Sequence, residues 1–203
     1  MVKDYNIDIS TIFDEPKNFQ QTVVFSACVV KGEERSLRML QVLLEMGADP
    51  ARQDDLQQTP LFYAAREGYS SVCKLLIEKG CAVNRSDKYG QTCFFYCIRE
   101  GHFDCIQLLC NMGAAHDHVD NKQQRPIYYA IQLERYNLVE YLIKRGVDMT
   151  LEDKKNMTPT HWAKKHNKMQ MLELLLQNGG VSLDAKKKAP GLSRKPSKPE
   201  PSK

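Results

Sequence analysis

The sequence predicts an all-α solenoid, a stack of helix-turn-helix units joined by hairpin-like turns, and three observations carry that prediction. Asp54, Asp87, Asp120 and Asp153 recur every 33 residues, as do Gly47, Gly80, Gly113, Gly146 and Gly179. Thr59, Thr92 and Thr158 share a further column, interrupted by Arg125, and Pro60, Pro126 and Pro159 the next, interrupted by Cys93. Between these markers apolar residues return at i, i+3, i+4 spacing, as in Val72, Leu75 and Leu76. Helices this short cannot bury their apolar faces alone, so successive units must stack into one continuous core.

Residues 1–20, with Ile7, Ile9, Ile12 and Phe13, are expected to cover the exposed face of the first unit. That unit, 21–53, opens with Gln21 to Cys28, which aligns with Gln58 to Ala65 only if four extra residues lie between its helices, around Lys31 to Arg35. A longer, more mobile loop is expected there. In the second unit, 54–86, the Thr59-Pro60 step places a hydroxyl acceptor at a helix N-cap and a pre-set φ at the first helical position. Gly68 permits the turn into the second helix, and Gly80 stands where a left-handed C-cap is wanted. About ten polar residues around the aspartate column then form a hairpin-like turn. The third unit, 87–119, repeats this plan with Gly101 and Gly113. The fourth, 120–152, carries Leu138, Tyr141 and Leu142 on its second helix but has Arg125 for the capping threonine and Glu134 for the inter-helix glycine. It is therefore expected to be the weakest internal unit. In the last, 153–180, Met171, Leu174 and Leu175 form the apolar stripe, and Lys164 replaces the second residue of the Ala64-Ala65 pair. That position would face a further repeat, so a lysine there marks the C-terminal cap.

The segment from Gln58 to Gly68, followed by Lys74 to Gly80, resembles an ankyrin repeat, whose hallmark is T-P-L-H-x-A at a 33-residue period. Thr158-Pro159-Thr160-His161-Trp162-Ala163 repeats it and keeps the family's histidine. The resemblance covers about residues 21–180, five repeats. It implies a structural role for His161 and a non-catalytic protein-binding scaffold or adaptor that meets its partner with turn tips and first-helix edges. Carried over column by column, the concave strip comprises Gln53, Asp55, Leu56, Gln58, Arg66 and Glu67 in the second repeat, and Ser86, Lys88, Tyr89, Gln91, Arg99 and Glu100 in the third. The fourth adds Val119, Asn121, Lys122, Gln124, Gln132 and Leu133, and the last Glu152, Lys154, Lys155, Met157, Lys165 and His166. Among these, Leu56, Arg66, Lys88, Tyr89, Arg99, Lys122, Leu133, Lys154, Met157 and Lys165 are the candidate contacts, with Tyr89 and Met157 as preferred anchors because solubility alone would make those turn positions polar.

Two aromatic columns run beside the strip: Phe62, Phe95, Tyr128 and His161, and next to them Tyr63, Tyr96, Tyr129 and Trp162. Consecutive residues of one helix cannot both face one core, so packing between repeats and a row of groove anchors both stand as readings. The seven cysteines form no CxxC pair, and Cys28, Cys97, Cys81, Cys105 and Cys93 align with small or apolar columns, which reads as buried filler in a reducing compartment, cytoplasm or nucleus. His116, Asp117 and His118, near Cys110, are the best ligand-type cluster but lack a second pair at zinc spacing, so a solvated turn is expected. No phosphate-cradling glycine loop, nucleophile elbow or HExxH occurs, and neither catalysis nor a cofactor is expected.

No stretch reaches the ~18 apolar residues of a membrane span. The formal net charge of +4 resides in the end of the chain: from Lys186 to Lys203 seven Lys/Arg stand against Glu200 alone. This Pro/Ser/Lys-rich stretch, 181–203, is expected to be disordered. Lys186, Lys187, Lys188, Arg194 and Lys195 allow three readings: a solubilising extension, a nuclear-import-like cluster, or contact with an anionic polymer such as nucleic acid or an acidic cytoskeletal surface. The last would make the chain a structural component of a nuclear or cytoskeletal assembly, the alternative to a protein adaptor. A monomer is expected for the chain alone.

Overall fold

The computed structural model of the chain describes residues 23–180. The capping segment 1–20 and the tail with Lys186, Lys187, Lys188, Arg194 and Lys195 lie outside the described residues. Within them, helices come in pairs and no strand occurs: α1 (Val23–Cys28) and α2 (Glu33–Glu45), α3 (Pro60–Glu67) and α4 (Ser70–Glu78), α5 (Cys93–Glu100) and α6 (Phe103–Asn111), α7 (Pro126–Gln132) and α8 (Tyr136–Lys144), α9 (Pro159–Lys165) and α10 (Met169–Gln177). The first helices α1, α3, α5, α7 and α9 stack side by side in one row, and α2, α4 and α6 stack in a second.

The period becomes a core because each apolar column is buried in every repeat. Leu76, Leu109, Leu142 and Leu175 of the second helices are all fully buried, as are Ala65, Ile98 and Ile131 of the first. Burying one such side chain contributes about 1.5–3 kcal/mol. Cysteines fill the smaller gaps: Cys97 stands in the column of Ala64 and Cys105 in that of Val72, and both are buried. Their sulfurs lie 3.3 Å apart, with the Cys73 sulfur 3.6 Å from that of Cys105. Burial pushes the Cys28 thiol up to about 12 and raises Cys93 further, which suits packing and not nucleophilic attack. Lys164, in the column of Ala65, Ile98 and Ile131, is exposed because no repeat covers it among the described residues.

Three local expectations need correction. The hydroxyls of Thr59 and Thr92 do not cap their helices: Thr59 accepts from the Cys81 thiol at 3.4 Å, and the buried Thr92 hydroxyl has no partner. Only Thr158 accepts from a backbone N–H, that of His161 at 3.3 Å. Helix starts instead rest on the fixed φ of Pro60, Pro126 and Pro159 at the first turn and on stacking. Secondly, the extra residues of the first repeat do not all form a loop. Val29 to Gly32 separate α1 from α2 where only Gly68 and Tyr69 separate α3 from α4, so the loop is longer as expected. But α2 is also 13 residues long where α4 has nine, so the insertion extends the helix as well.

Thirdly, the fourth repeat replaces its two missing signals. Glu134 adopts the left-handed conformation of its column, φ 54° against 74° at Gly68 and 86° at Gly101, and its carboxylate pairs with Lys168 of the next repeat. Arg125 lies 3.0 Å from the Asp117 carboxylate, both largely covered. The expected solvated turn is thus tied down: Asp117 pairs with Arg125, and the His118 ring nitrogen Nε2 lies 3.1 Å from the Ser86 hydroxyl and 3.2 Å from the Gly90 carbonyl.

Candidate partner-binding groove

Each turn tip is closed by its aspartate. Asp87 Oδ1 accepts from the N–H groups of Tyr89 at 2.8 Å and Gln91 at 3.0 Å, while its own N–H donates to the Gln91 carbonyl at 2.8 Å. Asp54, Asp120 and Asp153 repeat the arrangement, giving the hairpin-like turns the period predicts. Successive tips are joined by one backbone bond each, such as Asn121 N–H to the Tyr89 carbonyl at 3.0 Å. The second carboxylate oxygen faces the preceding repeat. Asp87 Oδ2 accepts from the Gln58 amide at 3.0 Å and the Tyr96 hydroxyl at 2.7 Å, and Asp120 Oδ2 accepts from Gln91 at 3.1 Å and Tyr129 at 2.7 Å. These buried carboxylates are therefore fully engaged. Burial and donation to Asp87 push the Tyr96 hydroxyl up to about 12, and the same causes raise Tyr129.

Gln58 and Gln91, read from the sequence as part of the contact strip, are buried and belong to the fold, and the half-buried Gln124 likewise donates to Asp153 at 3.2 Å. Met157 occupies the same column in the last repeat, with no further aspartate to reach among the described residues. It is half-buried against the core, and its carbonyl accepts from the Tyr128 hydroxyl at 2.7 Å. This explains an apolar residue at that turn without a partner, and Met157 does not stand at a tip.

The aromatic columns separate by depth. Phe62, Phe95 and Tyr128 are core, and the next column forms the wall of the concave side, with Tyr96 edge-on to Phe62 and Tyr129 edge-on to Phe95, centroids 5.6 Å apart in both. Into this wall are set two guanidinium groups. Arg66 lies 5.4 Å from the Tyr63 ring and 4.9 Å from Tyr96, and Arg99 lies 4.7 Å from Tyr96 and 5.2 Å from Tyr129. Tyrosine and arginine thus alternate along the inner edge, and Gln91 Oε1 accepts from Arg99.

Between the third and fourth repeats this edge opens into a groove of about 430 Å³. Its floor is the buried Gln91, Tyr96 and Asp120, with Arg99 and Tyr129 beside them. Tyr89, 51% exposed, and Leu133, 42% exposed, border it together with the exposed Lys122 and Gln132. Of the candidates, Tyr89, Arg99, Lys122 and Leu133 are brought together here. Lys88 is adjacent, its ammonium 5.1 Å from the Tyr89 ring centroid. Arg66 lies one repeat away, Leu56 is half-buried, and Lys154 and Lys165 are exposed on the last repeat, outside the groove. Tyr96 and Tyr129 were not among the candidate contacts. Arg66 and Arg99, three residues after Tyr63 and Tyr96, were the signal for that column, with Gln132 in the corresponding place after Tyr129.

Among the described residues no group of three or more His, Cys, Asp or Glu is placed to hold a metal ion, and no helix is long and apolar enough to cross a membrane.

A family model described as ankyrin repeats, three copies, matches residues 8–87, 25–120, 84–153 and 127–190. Over 61 residues the chain is 41% identical to the ankyrin repeat, SAM and basic leucine zipper domain-containing protein 1 of Ovis aries and of Bos taurus. It is 39% identical to the protein of the same name from Rhinolophus ferrumequinum. The matched segment is 30% of this chain and only 12% of each relative's length.

Proposed function

The chain belongs to the ankyrin-repeat family, and from that premise we propose that it is a non-catalytic scaffold or adaptor that holds a protein partner on its turn tips and concave face. Repeats of this family generally mediate protein–protein interactions. The observation that carries the reading here is the groove, where exposed Tyr89 and Leu133 flank Arg99 and Lys122. Interface hot spots favour tyrosine and arginine set among contacts that exclude water. The seven free thiols support a cytoplasmic or nuclear setting. The alternative, a structural component whose basic tail contacts an anionic polymer or surface, draws support from the seven Lys/Arg after residue 185. Loss of binding on deleting Lys186 to Lys203 would favour it.

The test is affinity capture from native lysate with the full chain and with a Tyr89→Ala, Leu133→Ala double variant. A protein retained by the parent and lost by the variant, at unchanged melting temperature, supports the groove. An identical captured set overturns it.

A further inference from the structure

Charge is distributed unevenly along the concave strip. In the second and third repeats Arg66, Lys88 and Arg99 are matched by Asp55, Glu67 and Glu100. In the fourth and fifth, Lys122, Lys154, Lys155 and Lys165 stand exposed against the half-buried Glu152. The groove lies where the balance turns, because Leu133 replaces the glutamate of the Glu67 and Glu100 column and Lys122 follows Leu56 and Tyr89 in theirs. Asp120 is the acid inside the groove, and each of its oxygens already accepts two hydrogen bonds. The groove therefore presents positive charge and donors to anything that enters. Arg99 is held in place by the rings of Tyr96 and Tyr129 and by Gln91, so little side-chain entropy is left to lose on binding, and a guanidinium carries five N–H donors.

We infer that the groove takes an extended acidic peptide of a protein partner. One apolar side chain of the peptide lodges between Tyr89 and Leu133, a carboxylate meets Arg99 and Lys122, and further acidic residues run toward Lys154, Lys155 and Lys165. Charge-assisted hydrogen bonds from arginine to carboxylate supply the recognition, and the lysines add steering. A single-stranded nucleic acid fits less well. It needs free aromatic faces for its bases, whereas the Tyr96 ring is engaged by both Arg66 and Arg99, 4.9 and 4.7 Å from its centroid, and its hydroxyl is bound to Asp87.

The inference rests on the protein-binding reading, and fluorescence anisotropy with the full chain separates the two. The probes are fluorescein-labelled twelve-residue peptides alternating Glu with Leu, Lys with Leu, and Glu with Ser, and an oligouridylate of equal length. The Glu/Leu peptide should bind best and weaken as salt rises. Lys122→Glu should weaken it about tenfold or more, as should Tyr89→Ala with Leu133→Ala, while Lys74→Gln on α4 leaves it unchanged. Lys122 is exposed, so its variant reads binding without the folding cost that Arg99→Gln risks. Equal binding of the Lys/Leu or Glu/Ser peptide, tighter binding of the oligouridylate, or indifference to Lys122→Glu overturns the inference. If those results come with a partner still lost from the lysate capture by the Tyr89, Leu133 variant, acidic specificity alone falls. If the capture is also unchanged, the groove falls with it.

Discussion

The third and fourth repeats share one backbone plan and differ at four instructive columns: Thr92 against Arg125, Gly101 against Glu134, Tyr89 against Lys122, and Glu100 against Leu133. At the first two the replacement side chain recruits a neighbour, Asp117 for Arg125 and Lys168 for Glu134. At the other two, each side chain except that of Tyr89, which has Lys88 beside its ring, stands exposed with no side-chain partner that the fold requires. Columns that hold the stack together thus change only with a compensating contact, whereas columns on the concave strip change freely and are left to decide what binds.

The comparison is tested most severely in the core. Leu109 and Leu142 are fully buried at equivalent positions, and either change to Ala should cost about 2–5 kcal/mol in urea unfolding. The fourth repeat has a left-handed glutamate where the third has a left-handed glycine, so amides of α7 and α8 should exchange hydrogen faster than those of α5 and α6. Equal protection would show that the two ion pairs compensate fully.

A smaller effect is expected from the hydroxyl ladder. Tyr96→Phe and Tyr129→Phe each remove a donor to a buried aspartate, and each should cost about 1–3 kcal/mol, similar in the two repeats. Alkaline titration reads the same bonds. In the fold the Tyr96 hydroxyl is held up to about 12, so the unfolded chain gives up this proton first as pH rises from 10.0. Stability is then fully present below that ordinary tyrosine value and falls as pH climbs toward 12. Absorbance at 295 nm checks this: the ladder tyrosines should ionise only as circular dichroism is lost, and early ionisation would contradict the ladder.

Much of this was legible because a period is legible. The aspartate and glycine columns marked every turn, and alignment identified Cys97 and Cys105 as filler. The threonine caps and the first-repeat insertion failed on local detail within one repeat, while the remaining misreadings share one cause, a contact between repeats. Gln58 looks like a solvent-facing turn residue until Asp87 and Tyr96, 29 and 38 positions on, are seen to hold it. Met157 looked like an anchor because nothing in the sequence shows that it sits half-buried against the core. Arg125 and Glu134 looked like lost signals because their partners lie in another turn and another repeat. The groove itself was read in outline, through Tyr89, Arg99, Lys122 and Leu133. What the sequence could not supply was that Tyr96 and Tyr129 clamp Arg99.

Backbone conformation gives an effect of about 1 kcal/mol with opposite signs in the two repeats. Gly101→Ala forces an L residue into φ 86° with its Cβ 3.0 Å from the Arg135 guanidinium, and should destabilise. Glu134→Gly removes that strain where it already exists, at the cost of a partly exposed ion pair with Lys168 worth about 0.2–1 kcal/mol, and should be neutral to slightly stabilising. Thermal melts of the two variants decide it, and a shift of the same sign in both would mean that the Lys168 contact outweighs the strain.

The smallest change should come at the groove's edge. Tyr89 is 51% exposed, and what it gives the fold is carried by its backbone: its N–H donates to Asp87 and its carbonyl accepts from Asn121. Tyr89→Ala keeps both bonds and loses only a ring beside Lys88, so stability should move by no more than about 0.5 kcal/mol. Gln91, two residues along in the same groove, bonds Asp120, Tyr129 and Arg99 at once, so Gln91→Ala should lower the melting temperature clearly. If both variants melted alike, the division between residues that hold the stack and residues left free to bind would fail at the place where it matters most.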